Sequence, residues 1–456
     1  MLNAIWLGLI LVAVALGAVT GQLPEVTKKA FEGCKTAVID LALPLAGVMA
    51  LWLGIMRLAE KSGAVQIVAR LLRPVLVRIF PDVPPQHPAM GSMVMNMAAN
   101  MLGLANAATP LGLRAMRDLE TLNPRPGTAT NAMCTFLALN TSSVQLIPAT
   151  AVAILAAQGS VQPTAIIGTA LFATACSTFV GLVAVKFFER LPAFALPPAP
   201  PFATETCEAE TEAGEPPPPM NGARAAAVWA ILAVFAGVFV LMSFAPSSFE
   251  TLASHVRGGL GLAGGSYSLP EGWLEKHPLA RAVEVLSLLA IPFFLTIFPI
   301  YAAARRVPVY EEFVEGAKEG FQVAVKIIPF LVAILAAIGM FRAAGGIDLL
   351  SRAVSPFLTP IGCPPDLLPL IFMRPLSGSG SMGIFSELAA THGPDSLIVR
   401  MAGTIMGSTE TTFYVLAVYF GSVAIRRTRH AVPAGLLADL AGVVASVAIC
   451  NFVFAR

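Results

Sequence analysis

Residues 407–412, Gly407-Ser408-Thr409-Glu410-Thr411-Thr412, set four hydroxyls around one carboxylate within six positions. Oxygens this dense suit a Na⁺ ion, a transferable proton or a polar solute. Gly407 adds a position where the backbone can leave helical geometry. The flanks, Gly403-Thr404-Ile405-Met406 and Phe413-Tyr414-Val415-Leu416-Ala417-Val418, are mostly apolar. A charge at the centre of a bilayer costs at least about 2.5 kcal/mol, so Glu410 needs a partner, a proton or a cavity. Two readings stand side by side. One is a binding site for a substrate or coupling ion; the other is a structural polar plug bonded to neighbouring helices.

Asn140, Thr141, Ser142 and Ser143 form an uncharged counterpart inside residues 126–185, a stretch free of Asp, Glu, Lys and Arg. Opposed to Glu410, they would give a pocket with charge on one side and amides and hydroxyls on the other. Asn96 and Asn100 share a helix face at i,i+4, and Asn106 follows Gly103 past a possible break. These amides suit ligand contact and helix-to-helix bonding equally. Arg374-Pro375-Leu376-Ser377-Gly378-Ser379-Gly380-Ser381 is the matching element later in the chain. Successive amides in such a turn, around Ser377, Ser379 and Ser381, can cradle an anion, with Arg374 either assisting or reaching to the interface. Asp439 is a further acid, expected to pair with Arg426 or Arg427 or to belong to an ion path. Asp40 is expected at a helix start, in a structural role.

Other chemistries lack their residues. The six cysteines lie far apart and the five histidines form no i,i+4 pair, so no metal site is expected. Neither a Walker A string nor H-E-x-x-H occurs. The expected class is therefore not an enzyme, with no cofactor beyond a coupling Na⁺ or H⁺.

The elements that must hold these groups are membrane helices. Of 456 residues, 56% are hydrophobic and 12% charged, with a mean hydropathy of +0.76. A soluble domain carries roughly 25% charged residues, so this chain could not cover itself in water. The net charge of +2 gives no excess for a polyanion, and nucleic acid is not an expected partner. Apolar stretches predict full spans near 2–20, 37–57, 128–157, 163–187, 224–245, 282–304, 323–342, 396–425 and 431–454. The first lacks the basic start of a signal peptide and is expected to be a retained helix. Residues 60–80 and 308–322 predict helices lying in the interface. Segments 86–109 and 364–387, rich in Gly, Ser, Asn and Pro, predict re-entrant or broken helices. The Met run from Met90 to Met101 predicts adaptable packing.

Residues 192–222 hold nine prolines and five glutamates, the composition of a flexible linker. They divide the chain into membrane parts at 1–191 and 223–456. Residues 246–280 predict a loop outside the membrane. On these spans, 18 basic residues fall on one face and 11 on the other, which places the N-terminus in the cytoplasm.

The two parts repeat. In order, Gly33-x-Lys35, Pro44, Gly54-x-x-Arg57 and Arg70-x-x-x-Pro74 align with Gly316-x-Lys318, Pro329, Gly339-x-x-Arg342 and Arg352-x-x-x-Pro356. The charge bias sends 37–57 and 323–342 through the membrane in opposite senses. Inverted repeats with discontinuous helices are a transporter architecture with its site near the midplane.

The string Asn96-Met97-Ala98-Ala99-Asn100 with Gly103 to Pro110 resembles spore maturation protein A. Arg374 to Ser381 with Gly407 to Tyr414 resembles spore maturation protein B. The chain looks like a fusion of the two, within the nucleoside recognition, or gate, domain group. That resemblance implies an all-α polytopic protein of the bacterial inner membrane with a transporter-like body. The expected function is a secondary transporter or permease for a small polar solute, nucleosides included. The alternative is a non-transporting factor of envelope or spore-maturation assembly. Expected partners are the lipid bilayer and the solute, with self-association into a homo-oligomer left open.

Overall fold

The computed structural model describes residues 2–103, 105–142, 144–194, 222–259, 277–346 and 362–454, together with Trp273, Leu349 and Arg352. Apart from one isolated bridge, Thr128 to Arg427, the regular structure among them is helical. Among the described residues six helices are long and apolar enough to cross a membrane, and the protein is an all-α polytopic membrane protein.

The first part opens with α1 (Leu2–Thr20) and α2 (Leu23–Lys61). An amphipathic α3 (Ala64–Ile79) follows. A helical hairpin comes next, α4 (Pro88–Met101) and α5 (Ala105–Glu120). Then come α6 (Asn131–Ser142), α7 (Ala149–Ala157) and α8 (Ile166–Glu189). The second part begins with α9 (Gly222–Phe244), α10 (Pro246–Gly259), α11 (Pro278–Ala304) and α12 (Val309–Ala343). It ends with α13 (Leu368–Met373), α14 (Gly378–His392), α15 (Leu397–Ser408), α16 (Thr412–Ser422) and α17 (Ala431–Phe454).

The longest pairing joins α2 to α12. A Cβ on Gly33 would stand 2.8 Å from the Leu335 carbonyl oxygen, and one on Gly316 would stand 2.6 Å from that of Leu53. Gly320 meets Met49 and Gly339 meets Lys29, so the two helices run antiparallel with their backbones nearly touching. Small residues allow this approach, which maximises dispersion where no hydrophobic effect acts between helices. Arg57 closes one end of the seam, with Nε 2.7 Å from Glu312 and Nη1 2.8 Å from Glu319. At the other end Arg342 holds Glu387 of α14 at 2.6 Å.

The same core continues where α8 packs between α17 and α15. Thr169 and Thr404 share a hydrogen bond of 2.8 Å, and the Ser177 hydroxyl donates to the Ala438 carbonyl at 2.8 Å. Large apolar residues on the outer faces, Phe179, Val183, Leu440 and Val444 among them, remain exposed, as lipid contact requires. Met90, Met93 and Met97 are buried in the core.

Several expected boundaries change. The span expected at 37–57 belongs to a 39-residue helix, Leu23–Lys61, carrying a π-helical stretch at Thr36–Ala42. Asp40 therefore lies inside a helix, exposed in that stretch, and not at a helix start. Residues 308–322 are the first turns of the 35-residue α12, because Gly316 and Gly320 dock them on α2. The spans expected at 128–157 and 396–425 are each interrupted, at 144–148 and 409–411. Part of the loop expected at 246–280 is the helix α10. Within the linker, 195–221 lie outside the described residues.

His430 sits at the entry to α17, fully buried against the Phe194 ring, with neither ring nitrogen hydrogen-bonded. Burial, with the Arg429 and Lys186 charges, pushes its pKa from 6.5 down to about 4. The folded state thus binds fewer protons than the unfolded state between those values. Stability should be full above pH 6.5 and fall by up to about 3 kcal/mol as pH drops towards 4. In detergent, His430→Phe should flatten that part of the melting-temperature profile; an unchanged profile would refute this account.

Candidate functional site

Helix α15 stops at Ser408, and its last carbonyls lose their partners within the helix. Each finds another. The Ser408 hydroxyl donates to the Ile405 carbonyl at 2.9 Å, and Arg374 Nη2 donates to the Met406 carbonyl at 2.9 Å. The same nitrogen donates to the Thr409 carbonyl. Two amides freed by the break are also taken: Phe413 donates to the Pro375 carbonyl at 3.0 Å, and Glu410 to the Thr141 carbonyl at 2.7 Å. A cation at a helix C-terminus is favoured by the helix dipole, as is an acid just before the N-terminus of α16.

The Glu410 bond crosses to the second interrupted helix, where α6 ends at Ser142. Just beyond, Gln145 Nε2 donates to Glu410 Oε1 at 2.7 Å. Arg374 Nη2 stands 3.9 Å from Glu410 Oε2. The Glu410 side chain is 37% exposed, whereas Ser408, Thr409, Thr411 and Thr412 are buried. Two broken helices thus cross at their breaks, with a carboxylate at the crossing that still reaches accessible space. This arrangement can bind a cation or accept hydrogen bonds from a polar solute.

Behind the crossing lies an amide network. Asn100 Nδ2 donates to Asn140 Oδ1 at 2.9 Å, and Asn140 Nδ2 donates to the Phe136 carbonyl at 2.9 Å. Asn96 Nδ2 donates to the Ala108 carbonyl at 2.7 Å and lies 3.4 Å from the Tyr419 hydroxyl. The Asn96 Oδ1 is buried without a partner. The break after α4 touches the break after α6, where the Leu146 amide donates to the Met101 carbonyl at 2.9 Å.

The structure therefore brings Glu410 together with Thr141, and Asn140 with Asn96 and Asn100. Ser142 is turned to its own helix, donating to the Ala138 carbonyl at 2.9 Å. Ser377 caps α14 by accepting the Gly380 amide at 3.0 Å, Ser379 lies 3.4 Å from it, and Ser381 donates to the Ser377 carbonyl at 2.7 Å. Ser143 and the Asn106 side chain lie outside the described residues. Asp439 takes its hydrogen bond from Thr412, at 2.6 Å, and not from Arg426 or Arg427. Its other oxygen is buried without a partner.

Tyr419 joins the site beyond the residues singled out from sequence, Gln145 extends the Asn140 to Ser143 stretch by two positions, and Arg374 serves carbonyls in place of an anion or the interface. Tyr419 lies two helical turns after Thr412, a spacing that shares one face and was a readable signal. The opposition of the two stretches was expected, but the particular bond from Gln145 to Glu410, across 265 residues, had no local signal.

Spore maturation protein B of Bacillus subtilis (strain 168) is 46% identical over 172 residues, covering 38% of this chain and 97% of the relative. Spore maturation protein A of the same organism is 41% identical over 188 residues, 41% of this chain and 95% of the relative. The chain belongs to the spore maturation protein A and B family. One stretch of it is similar to each of these relatives, as in a fusion of the two. A family model described as Gate, nucleoside recognition, matches residues 42–158 and 324–426, and these ranges contain both breaks and both halves of the crossing. No solved structure matches the chain.

Proposed function

We propose that this family member is a secondary transporter or permease for a small polar solute, with nucleosides as the first class to test. The observation that carries the reading is the crossing of two interrupted helices at Glu410, held by Gln145 and Arg374 and still partly exposed. Among the described residues of 407–412, the buried hydroxyls of Ser408 and Thr412 are spent on internal bonds. Glu410 and Gln145, with the Thr409 and Thr411 hydroxyls beside them, are then the groups that meet the solute or a coupling Na⁺ or H⁺. The antiparallel α2 and α12 seam supports the inverted repeat. The matched Gate description supports the solute class. The setting is the bacterial inner membrane, with the N-terminus in the cytoplasm and the two membrane parts meeting at residues 192–222. The comparisons favour a transporter-like or assembly protein over an enzyme.

A charged hydrogen bond contributes about 1.5–3 kcal/mol, or roughly tenfold to a hundredfold in affinity. In proteoliposomes with a Na⁺ or proton gradient, Glu410→Gln should cut uptake of labelled uridine or adenosine at least about tenfold. Equal uptake by the variant and wild type would sink the assignment.

The close internal pairing of the amide network favours one rival, a non-transporting assembly factor built on the same body. Under that reading Glu410→Gln would fully rescue a deletion phenotype, and no nucleoside flux would appear in either protein.

A further inference from the structure

Away from the crossing, α3, α9 and α11 enclose a cleft of about 590 Å³. Its size falls within the roughly 300–1,000 Å³ of small-molecule sites. Its walls are almost wholly apolar, and no Asp or Glu lines it. Depth and mouth differ in exposure. Val228, Ile297 and Phe298 are buried at 7% each, while Trp229 and Leu71 stand 70% and 71% exposed. Since α9 and α11 are membrane-crossing helices, that mouth opens towards hydrocarbon.

The polar end is basic. Arg70 and Arg305 both line the cleft, and Arg305 Nη2 donates to the Tyr301 hydroxyl at 2.9 Å. Arg224 reaches the Ala304 carbonyl, one residue from Arg305. Trp229 and Tyr301 add the amphipathic aromatics that sit at headgroup level. An apolar slot open to lipid, with two arginines and no acid among its described lining residues, complements an acyl chain with an anionic headgroup.

We propose that this cleft holds an anionic phospholipid, its acyl chain along α9 and α11 and its phosphate between Arg70 and Arg305. The inner wall includes Leu146 and Leu102. Leu146 follows Gln145, the residue that holds Glu410, so a bound chain supports the break from behind. The lipid reading depends on the cleft alone and stands whether or not Glu410 binds a solute.

Native mass spectrometry of the delipidated full-length protein, titrated with phosphatidylglycerol or phosphatidylcholine, tests this. Wild type should retain phosphatidylglycerol about tenfold better, and Arg70→Gln/Arg305→Gln should erase that preference. Val228→Trp should block both lipids. Inorganic phosphate alone should leave the melting temperature unchanged. Equal retention of the two lipids by wild type, or an undiminished preference in the double arginine variant, would overturn the proposal. So would stabilisation by inorganic phosphate alone, which would mark a free-anion site. A change of oligomeric state in Val228→Trp with lipid retention intact would show that a second copy covers the cleft, and would also overturn it. The rim arginines do not fill the core, so the double variant decides the matter even if Val228→Trp fails to fold.

Discussion

Arg374→Met should lower stability by about 3 kcal/mol and abolish binding at the crossing together with it. The cost comes mainly from two carbonyls. Met406 and Thr409 would ordinarily be bonded by the amides of Glu410 and Phe413, but the break gives those amides to Thr141 and Pro375. Arg374 is the replacement donor for both, and it is 6% exposed. An unsatisfied buried acceptor costs about 1–3 kcal/mol. The 3.9 Å approach to Glu410 adds less, because that carboxylate is 37% exposed and screened. Arg374→Lys should recover only part of the loss, since a compact, strongly hydrated ammonium costs more to bury beside these carbonyls than a guanidinium does. Glu410→Gln, by contrast, should melt within about 1 kcal/mol of wild type, because it leaves both carbonyls bonded. Thermal unfolding in detergent, read by size-exclusion profile after heating, separates the three. If Arg374→Met melted with Glu410→Gln, the carbonyl account would be wrong.

The second large effect is a reversal of sign between two glycines on the α2–α12 pair. Alanine is intrinsically favoured over glycine in a helix by about 0.5–1 kcal/mol. Gly47 is exposed on α2 with nothing within 4 Å of its would-be Cβ, so Gly47→Ala should stabilise by about that amount. At Gly316 the same methyl would meet the Leu53 carbonyl oxygen at 2.6 Å and the Gly54 Cα at 2.9 Å. Those are backbone atoms of a 39-residue helix and cannot turn aside. The helices must part, and Gly316→Ala should destabilise by about 3 kcal/mol. Melting curves of the two variants side by side give the test. A neutral Gly316→Ala would mean the seam is looser than its geometry implies.

Much of this was readable before the fold was known. Composition put the chain in a bilayer, the Gly/Ser/Asn-rich segments announced broken helices, and Glu410 stood out as a lone acid among apolar residues. The aligned Gly33, Gly54, Gly316 and Gly339 all proved to lie on one seam. What stayed hidden depends on distance along the chain. Counting uncharged residues finds the apolar centre of a helix and misses its charged ends, so Leu23–Lys61 came out short. Arg374 looked like an anion ligand or an interface anchor because nothing local shows that Met406 and Thr409 lack donors. That need arises only once Thr141 and Pro375 have taken the competing amides.

The crossing also carries a timetable. Asn100 and Asn140 lie 40 residues apart and can pair soon after both enter the membrane. Gln145 and the Thr141 carbonyl must await Glu410, which for Gln145 is 265 residues downstream. At about 5–20 residues per second, ribosomal synthesis leaves them waiting for tens of seconds. Throughout that interval the nascent chain holds an exposed glycine face on α2 and unbonded polar groups in lipid. The insertion machinery, and not the finished fold, has to shelter them until the last helices arrive.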